Sequence, residues 1–193
     1  MTRIPVTLRD ASLNDAPDLS GLWGEVVRRG DDRDPVADMH TVIEHVLTST
    51  DQRIVVAEYD GLMVGAVLLR IAPLTPLHLE PIVQVISPHV LAEFRRRGVG
   101  RALMDAAASY AEDCGINHVG TASMSNSREA NRFMARLGLS PHATLRLTST
   151  QMLRAKLTGQ RAALSRGSGR PVGQILAARR SLKRAQSFAG SLD

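Results

Sequence analysis

The sequence predicts a mixed α/β domain whose central sheet is partly antiparallel. Two β-rich runs, RIVVAEY (53–59) and LMVGAVLLRI (62–71), are joined by Asp60-Gly61, a pair that strongly favours a two-residue hairpin. Runs with helical periodicity lie on both sides of this hairpin in the chain. Antiparallel strands combined with strand–helix alternation are typical of a sheet flanked by helices.

The segment before the hairpin is expected to contain one strand and two helices. VTLRDA (6–11) alternates as an edge strand does, and Ser12 is a candidate N-cap for the first helix. Apolar residues at helical spacing continue this helix until Gly30 closes it. An acidic loop, DDRDPVAD (31–38), then leads to a short second helix, MHTVIEHVLTS (39–49).

The segment after the hairpin alternates between strands and helices. The spacing of apolar and turn residues predicts, in chain order, a proline-broken loop at 73–81, a strand at 82–94, a helix at 99–113, a strand at 117–124, a helix at 126–139 and a final strand at 141–149. Residues 1–150 are therefore expected to form one domain.

The C-terminal part of the chain differs in charge from the rest. Residues 1–150 carry a net charge of −3, whereas residues 151–193 carry +8. Residues 148–165 are a candidate helix, 166–173 have linker composition, and 174–189 are a candidate basic amphipathic helix. Two roles stay open for this extension. It binds an acidic partner such as RNA, an acidic protein or anionic lipid, or it packs on the domain or on a second subunit of a homodimer.

The composition favours a cytoplasmic protein. Cys114 is the only cysteine, so no internal disulfide forms, and a reducing compartment is expected. The N-terminal residues MTRIPVTLRD lack the apolar core of a signal peptide. The longest apolar run, LMVGAVLL, is far shorter than the ~20 residues that cross a bilayer, so no transmembrane segment is expected.

The segment LAEFRRRGVGRALM (91–104) has the composition of an anion site. It places two glycines and four arginines at the start of a predicted helix, where unpaired backbone N–H groups and the helix dipole favour a phosphate. It lacks the Gly-Lys-Ser/Thr ending of a P-loop, and Leu103 stands where the dinucleotide-binding fingerprint needs a third glycine. The alternative is a solvated arginine cluster before a surface helix.

Two motifs about 30 residues apart resemble those of the GNAT superfamily of acyl-CoA N-acyltransferases. The first is a strand that ends in an Arg/Gln-x-x-Gly-x-Gly/Ala turn, and the matching residues are Arg95, Gly98 and Gly100. The second is a later helix of the form Asn-x-x-Ala…Tyr…Gly-Phe, and the matching residues are Ala130, Gly138 and Leu139. The resemblance covers roughly residues 3–148, because the order of strands and helices also agrees.

The resemblance implies a GNAT-like fold with a basic helical extension and a binding site for acetyl-CoA. The turn 96–101 would bind the pyrophosphate through backbone N–H groups, and residues 88–91 would hydrogen-bond the pantetheine arm. The implied cofactor-binding residues are Pro88, His89, Val90, Leu91, Arg95, Arg96, Arg97, Gly98, Val99, Gly100, Arg101, Ser127 and Asn131.

The implied activity is transfer of an acetyl group from acetyl-CoA to a primary amine of a small molecule, peptide or protein. Met134 occupies the place of the tyrosine that often protonates the departing thiolate in the family. A catalytically silent module that binds acyl-CoA, or acts as an adaptor through its basic tail, is therefore the alternative. An unrelated nucleotide-binding or nucleic-acid-binding domain is a more distant one.

The general base has two candidates, Glu80 and His89, because an amine acceptor must lose a proton. Some family members keep a glutamate at the position of Gln84, and Glu80 lies four residues earlier on the same face of the predicted strand. His89 lies within the implied pantetheine site. The histidines show no spacing with acids or Cys114 that is typical of a metal site, so no metal is expected.

Overall fold

A computed structural model of the chain describes residues 6–24, 34–77, 79–122, 127–143 and 146–167. The chain divides into two compact units, residues 1–140 and residues 141–193. Within the described residues, no helix combines the length and the apolar character that a membrane span requires.

The first unit is built on a five-stranded sheet in which the strands are ordered as they occur in the chain. The strands are β1 (Thr7–Asp10), β2 (Gln52–Tyr59), β3 (Leu62–Pro73), β4 (Pro81–Val90) and β5 (Val119–Thr121). The first four strands are antiparallel to their neighbours, whereas β5 is parallel to β4. The partly antiparallel sheet predicted from the sequence is therefore confirmed.

Helices cover both faces of this sheet. They are α1 (Ala16–Leu22), α2 (Pro35–Thr48), α3 (Val99–Asp113) and α4 (Arg128–Arg136). In β2, Ile54 and Val56 belong to the apolar cluster formed with α1 and α2. Val55 and Ala57 belong to the cluster formed with α3 and α4. This alternation is the two-residue period of a strand that is buried on both faces.

The hairpin between β2 and β3 turns at Asp60-Gly61, as predicted. Asp60 has a φ of +55° and Gly61 a φ of +74°. Two successive residues with positive φ match the right-handed twist of the flanking strands, and Asp-Gly tolerates this conformation well. The register runs from Tyr59 opposite Leu62 to Gln52 opposite Arg70.

The boundaries of the first two helices differ from the predicted ones. The first α-helix, α1, ends at Leu22, and the predicted stop at Gly30 lies outside the described residues. The second, α2, begins at Pro35, inside the predicted acidic loop, because the Asp34 side chain accepts a hydrogen bond from the Val36 N–H at 2.9 Å and caps the helix. Proline fits the first helical position, where its missing N–H leaves no bond unmade.

The structure corrects two of the predicted strands: one is shorter than predicted, and the other is not formed by its described residues. The strand predicted at 82–94 ends at Val90, because residues 92–94 form a short 3-10 helix whose Phe94 N–H bonds the Leu91 carbonyl. The final strand predicted at 141–149 is absent from residues 141–143 and 146–149, which the structure describes as exposed and irregular. A strand requires a partner strand that hydrogen-bonds its backbone, and a suitable local sequence alone does not supply that partner.

The second unit contains α5 (Thr150–Gly167), which confirms the helix predicted at 148–165. Its exposed apolar residues include Met152, Leu153 and Leu157. The predicted basic helix at 174–189 lies outside the described residues, so its role stays a prediction.

Candidate functional site

The two ends of β4 have different neighbours. On one side β4 pairs with β3 along its whole length, and on the other it pairs with β5 only from Val83 to Val85. Thr121, the last residue of β5, also donates its side-chain hydroxyl to the Val85 carbonyl at 2.9 Å. Among the described residues, no strand pairs with the β5 side of Ile86–Val90.

A β-bulge interrupts β4 at the start of this segment. His89 lies opposite Ala66 and Ile86 lies opposite Leu68, so two residues of β4 face the single residue Val67 of β3. The two residues that face Val67 are Ser87, which has a φ of +48°, and Pro88. The Trp23 indole N–H donates a hydrogen bond to the Ser87 carbonyl at 2.9 Å.

Gly65 permits the close approach of β3 to the last residues of β4. A Cβ atom at this position would lie 2.7 Å from the His89 backbone carbonyl oxygen and 3.2 Å from a methyl group of Val99. The first distance is shorter than Cβ contacts in proteins, so a larger residue would push β4 away. The observed backbone path at His89 therefore requires a glycine at position 65.

The arginine-glycine segment forms a turn that opens α3. Arg96 has a φ of +61°, and Gly98 caps the helix with a φ of +94°. The first intrahelical bond runs from the Ala102 N–H to the Gly98 carbonyl at 3.0 Å. The N–H groups of Val99, Gly100 and Arg101 consequently have no partner within the helix, which is the arrangement that binds phosphate groups.

The arginine side chains of this turn have different surroundings. Arg97 lies over two aromatic rings, with its guanidinium carbon 5.6 Å from the ring centre of Tyr59 and 5.3 Å from that of Phe94. Arg95 donates its Nε–H to the Val90 carbonyl at 3.3 Å. Arg95 and Arg96 approach Glu129 of α4 at 3.9 and 4.0 Å, exposed pairs that contribute little stability.

The helix α4 brings the second sequence motif to the turn. Ser127 caps α4 through a hydrogen bond from the Ala130 N–H at 3.4 Å. The Phe133 ring lies 3.5 Å from the position that a Cβ on Gly100 would take. Asn131 is exposed on α4, whereas Met134 is buried in the apolar core beneath α3. The two sequence motifs, which are about 30 residues apart in the chain, are therefore close in space.

The profile of the acetyltransferase (GNAT) family matches residues 21–139, which include the strand, the turn and both motif helices. The chain belongs to the GNAT acetyltransferase family. No curated protein sequence matches the chain.

Solved structures of several acetyltransferases share the fold of this GNAT chain. The aminoglycoside N-acetyltransferase AAC(6′)-Iy, in complex with CoA, matches with a TM-score of 0.64 and 17% identity over 76% of this chain and 95% of that chain. Glucosamine-6-phosphate N-acetyltransferase from Arabidopsis thaliana matches with a TM-score of 0.62 and 15% identity over 76% of this chain and 99% of that chain. A transcriptional regulator from Bacillus halodurans matches with a TM-score of 0.64 and 18% identity over 75% of this chain and 100% of that chain. At these identities the likeness establishes the fold alone.

The two candidates for a general base lie at opposite ends of β4 in this GNAT domain. Glu80 precedes the strand, and its carboxylate lies 3.5 Å from the His118 imidazole. His89 lies nine residues further along, close to the turn. Because a strand rises at most ~3.4 Å per residue, nine residues separate the two positions by up to about 30 Å. The fold therefore brings His89, and not Glu80, to the end of β4 that leads into the turn before α3.

Gln84 supports the sheet at a distance from this end. Its amide oxygen accepts a hydrogen bond from Arg70 at 2.7 Å, and its amide nitrogen donates to the Pro73 carbonyl at 3.1 Å. Both ends of the side chain are thus used in holding β3 and β4 together. Among the described residues, no group of three or more His, Cys, Asp or Glu side chains could hold a metal ion.

Sequence reasoning missed two residues that shape the site, Trp23 and Gly65. An isolated glycine inside a β-rich run often marks a close backbone approach, so Gly65 carried a usable signal. Trp23 carried none beyond its place on the apolar face of a helix, because its partner Ser87 lies 64 residues away in the chain.

Proposed function

We propose that the chain is an N-acyltransferase that transfers an acetyl group from acetyl-CoA to a primary amine. The observation that supports the proposal is that the glycine turn opening α3 directly follows the half of β4 that has no described strand on its β5 side. The N–H groups that open α3 and the β4 edge from Ile86 to Val90 lie on either side of the short segment 91–98. A pyrophosphate joined to an extended, amide-containing arm needs both kinds of partner next to each other.

The turn and the strand would have separate tasks in holding acetyl-CoA. The backbone of residues 96–101 would bind the pyrophosphate, with Arg95, Arg96 and Arg101 adding positive charge. Residues 88–91 would hydrogen-bond the pantetheine amides and hold the thioester at the end of the strand. Arg97, which is stacked on two rings, would act mainly by holding the turn in place.

The proposed reaction is a direct attack. The neutral amine nitrogen bonds to the thioester carbonyl carbon and gives a tetrahedral intermediate, and the base takes the surplus proton from that nitrogen. The C–S bond then breaks, the amide product forms and CoA leaves as a thiolate. Because Met134 is buried in the core and has no proton to give, water would protonate the thiolate.

His89 is the better of the two base candidates, because it lies on the strand segment that would hold the thioester. We expect His89→Ala to lower kcat by about 100-fold at neutral pH, a typical contribution of general-base catalysis. Glu80→Gln should leave kcat within about twofold, since the carboxylate lies at the far end of β4. Initial rates of CoA release measure both. Equal and full activity in both variants would exclude these two residues as the base.

The acceptor belongs to the broad class of primary amines. The structural neighbours include an aminoglycoside acetyltransferase and an amino-sugar-phosphate acetyltransferase, which share the fold at low identity. A panel of amines with purified protein and acetyl-CoA would define the acceptor by the rate of CoA release.

Binding of acetyl-CoA is the first test, and α3 offers a matched pair of glycines for it. Gly98 and Gly115 lie just before and just after this helix, both have positive φ, and a Cβ on either would meet no atom within 4 Å. Replacement by alanine therefore strains both backbones alike, but only Gly98→Ala disturbs the proposed pyrophosphate turn. We expect calorimetric titration to show at least about tenfold weaker binding for Gly98→Ala and unchanged binding for Gly115→Ala.

Three outcomes decide the proposal. Binding that depends on Gly98, followed by CoA release with an amine, supports the acetyltransferase. Binding without CoA release by any amine favours the catalytically silent module. A folded parent protein that does not bind acetyl-CoA overturns both.

A further inference from the structure

The indole of Trp23 connects the end of α1 to the bulge in β4. Its N–H donates to the Ser87 carbonyl at 2.9 Å, and the tryptophan is only 5% exposed. Trp23 itself is fixed at the C-terminus of α1, where its backbone N–H bonds the Leu19 carbonyl at 3.0 Å. The side chain also packs in the apolar cluster between α1, α2 and the sheet. The bulge is therefore tied to a rigid element outside the sheet.

The bulge leaves a backbone carbonyl that needs a hydrogen-bond donor from outside the ladder. The two residues of a bulge that face one partner residue cannot both join the ladder, so a carbonyl is left for another donor. A half-buried carbonyl without a donor costs free energy, and a serine at positive φ adds backbone strain. The following residue is Pro88, which has no N–H of its own to give. Trp23 supplies the missing donor.

The backbone conformation at the bulge determines the orientation of the backbone groups that follow it. His89 and Val90 directly follow it, in the half of β4 whose described strand partner is β3 alone. A rotation at Ser87 would turn their N–H and C=O groups away from the plane of the sheet. The hydrogen bond from Trp23 consequently fixes the orientation of groups that Trp23 does not itself touch.

We propose that Trp23 is a positioning residue for the pantetheine arm of acetyl-CoA, acting through the Ser87 carbonyl. The inference rests on the proposed function, since it assumes that β4 binds this arm. The pyrophosphate turn is built differently, from the segment 95–98 and the start of α3, whereas the indole N–H of Trp23 bonds Ser87 in β4. Loss of the indole N–H should therefore weaken contacts along β4 and leave those at the turn intact.

A pair of ligands separates these two parts of the site. Adenosine 3′-phosphate 5′-diphosphate contains the pyrophosphate and adenosine of CoA but no pantetheine arm. For Trp23→Phe, which keeps an aromatic ring but has no N–H donor, we expect about tenfold weaker binding of acetyl-CoA. Binding of the nucleotide fragment should change less than about twofold. Calorimetric titration measures both affinities with the same protein sample.

A control variant accounts for general loosening of the apolar cluster. Ile43 of α2 is fully buried in the same cluster as Trp23. Ile43→Val removes one methylene and destabilises the fold, but it leaves the indole hydrogen bond in place. The ratio of the two affinities should remain that of the parent protein. A shift of the ratio in Ile43→Val equal to that in Trp23→Phe would overturn the positioning role.

The single tryptophan of the chain allows a second test if Trp23→Phe does not fold. Biosynthetic replacement of tryptophan by benzothienylalanine keeps the size of the ring system and puts sulfur in the place of the N–H. The same selective loss of acetyl-CoA affinity is expected. Unchanged affinity for both ligands would overturn the inference while leaving the proposed function intact. A parent protein that binds neither ligand would instead overturn the proposed function.

Discussion

The two halves of β4 have opposite properties. From Val83 to Val85 the strand has partners on both sides, and Ile82, Val83 and Val85 are buried. From Ile86 to Val90 every residue is half-buried, and the described partner is β3 alone. The first half has the hydrogen bonds and apolar contacts of a sheet interior. In the second half, no strand among the described residues pairs with β4 on the β5 side.

The difference shows that the second half is held partly by contacts from outside the ladder. Trp23 holds the bulge at Ser87, and the missing side chain of Gly65 lets β3 approach His89. Arg95 bonds the Val90 carbonyl from the following turn. The backbone position of this half of β4 therefore depends on contacts with other elements of the fold as well as on its pairing with β3.

Substitution of Gly65 should have the largest effect. In Gly65→Ala the new methyl group would meet the His89 backbone carbonyl, which no side-chain rotation can relieve. We expect the free energy of unfolding to fall by about 3 kcal/mol, the upper range for overpacking, and acetyl-CoA binding to weaken more than about tenfold. Urea denaturation and calorimetric titration measure the two effects.

Gly120 provides the control in the closed half. A Cβ on Gly120 would lie 3.0 Å from the terminal methyl group of Ile82, the end of a flexible side chain. Gly120→Ala should therefore cost less than about 1 kcal/mol and leave acetyl-CoA binding unchanged. If the two variants behaved alike, the distinction between the halves of β4 would lose its support.

Acid should weaken the junction that carries α1 and, through it, Trp23. Asp15 is buried and accepts two hydrogen bonds of 2.7 Å from Arg9, which lower the pKa of its carboxyl from 3.8 to about 2. A lowered pKa in the folded state stabilises the protein above pH ~4, and this contribution is lost as the pH falls towards 2. We expect a loss of roughly 2 kcal/mol over that interval, measured by denaturation at each pH.

The variant Asp15→Asn isolates this carboxylate. It should be less stable than the parent at neutral pH by a similar amount, and its stability should fall less steeply between pH 4 and pH 2. A slope equal to that of the parent would show that other carboxylates cause the acid sensitivity.

The smallest effect is expected at the turn itself. Tyr59 and Phe94 pack with ring centres 5.6 Å apart, and Arg97 lies over both rings. Tyr59→Leu keeps an apolar side chain but removes the ring face, so acetyl-CoA binding should weaken about fivefold through a looser turn. Tyr59→Phe keeps the ring and should bind as the parent does. Equal affinities in the two variants would contradict a role for the stacked arginine.

The sequence by itself determined the features that depend on neighbouring residues in the chain. Asp60-Gly61 specified the hairpin because few residues tolerate two positive φ angles. The Arg95–Gly100 segment predicted an anion-binding turn because glycines before a helix leave its N–H groups accessible. The helix α3 began and ended where its apolar period and glycines indicated.

Tertiary structure alone decided the features that depend on pairing between distant segments. The bulge at Ser87 exists only relative to the register with β3, and its donor Trp23 comes from another layer of the fold. Glu80 and His89 are separated because they lie at opposite ends of β4, and the apolar periodicity of the sequence does not show where this strand begins and ends. The final strand predicted at 141–149 shows the same limit. Its described residues, 141–143 and 146–149, form no strand. A strand is stable only where a second strand lies beside it and hydrogen-bonds its backbone, and the local sequence does not show whether such a partner exists.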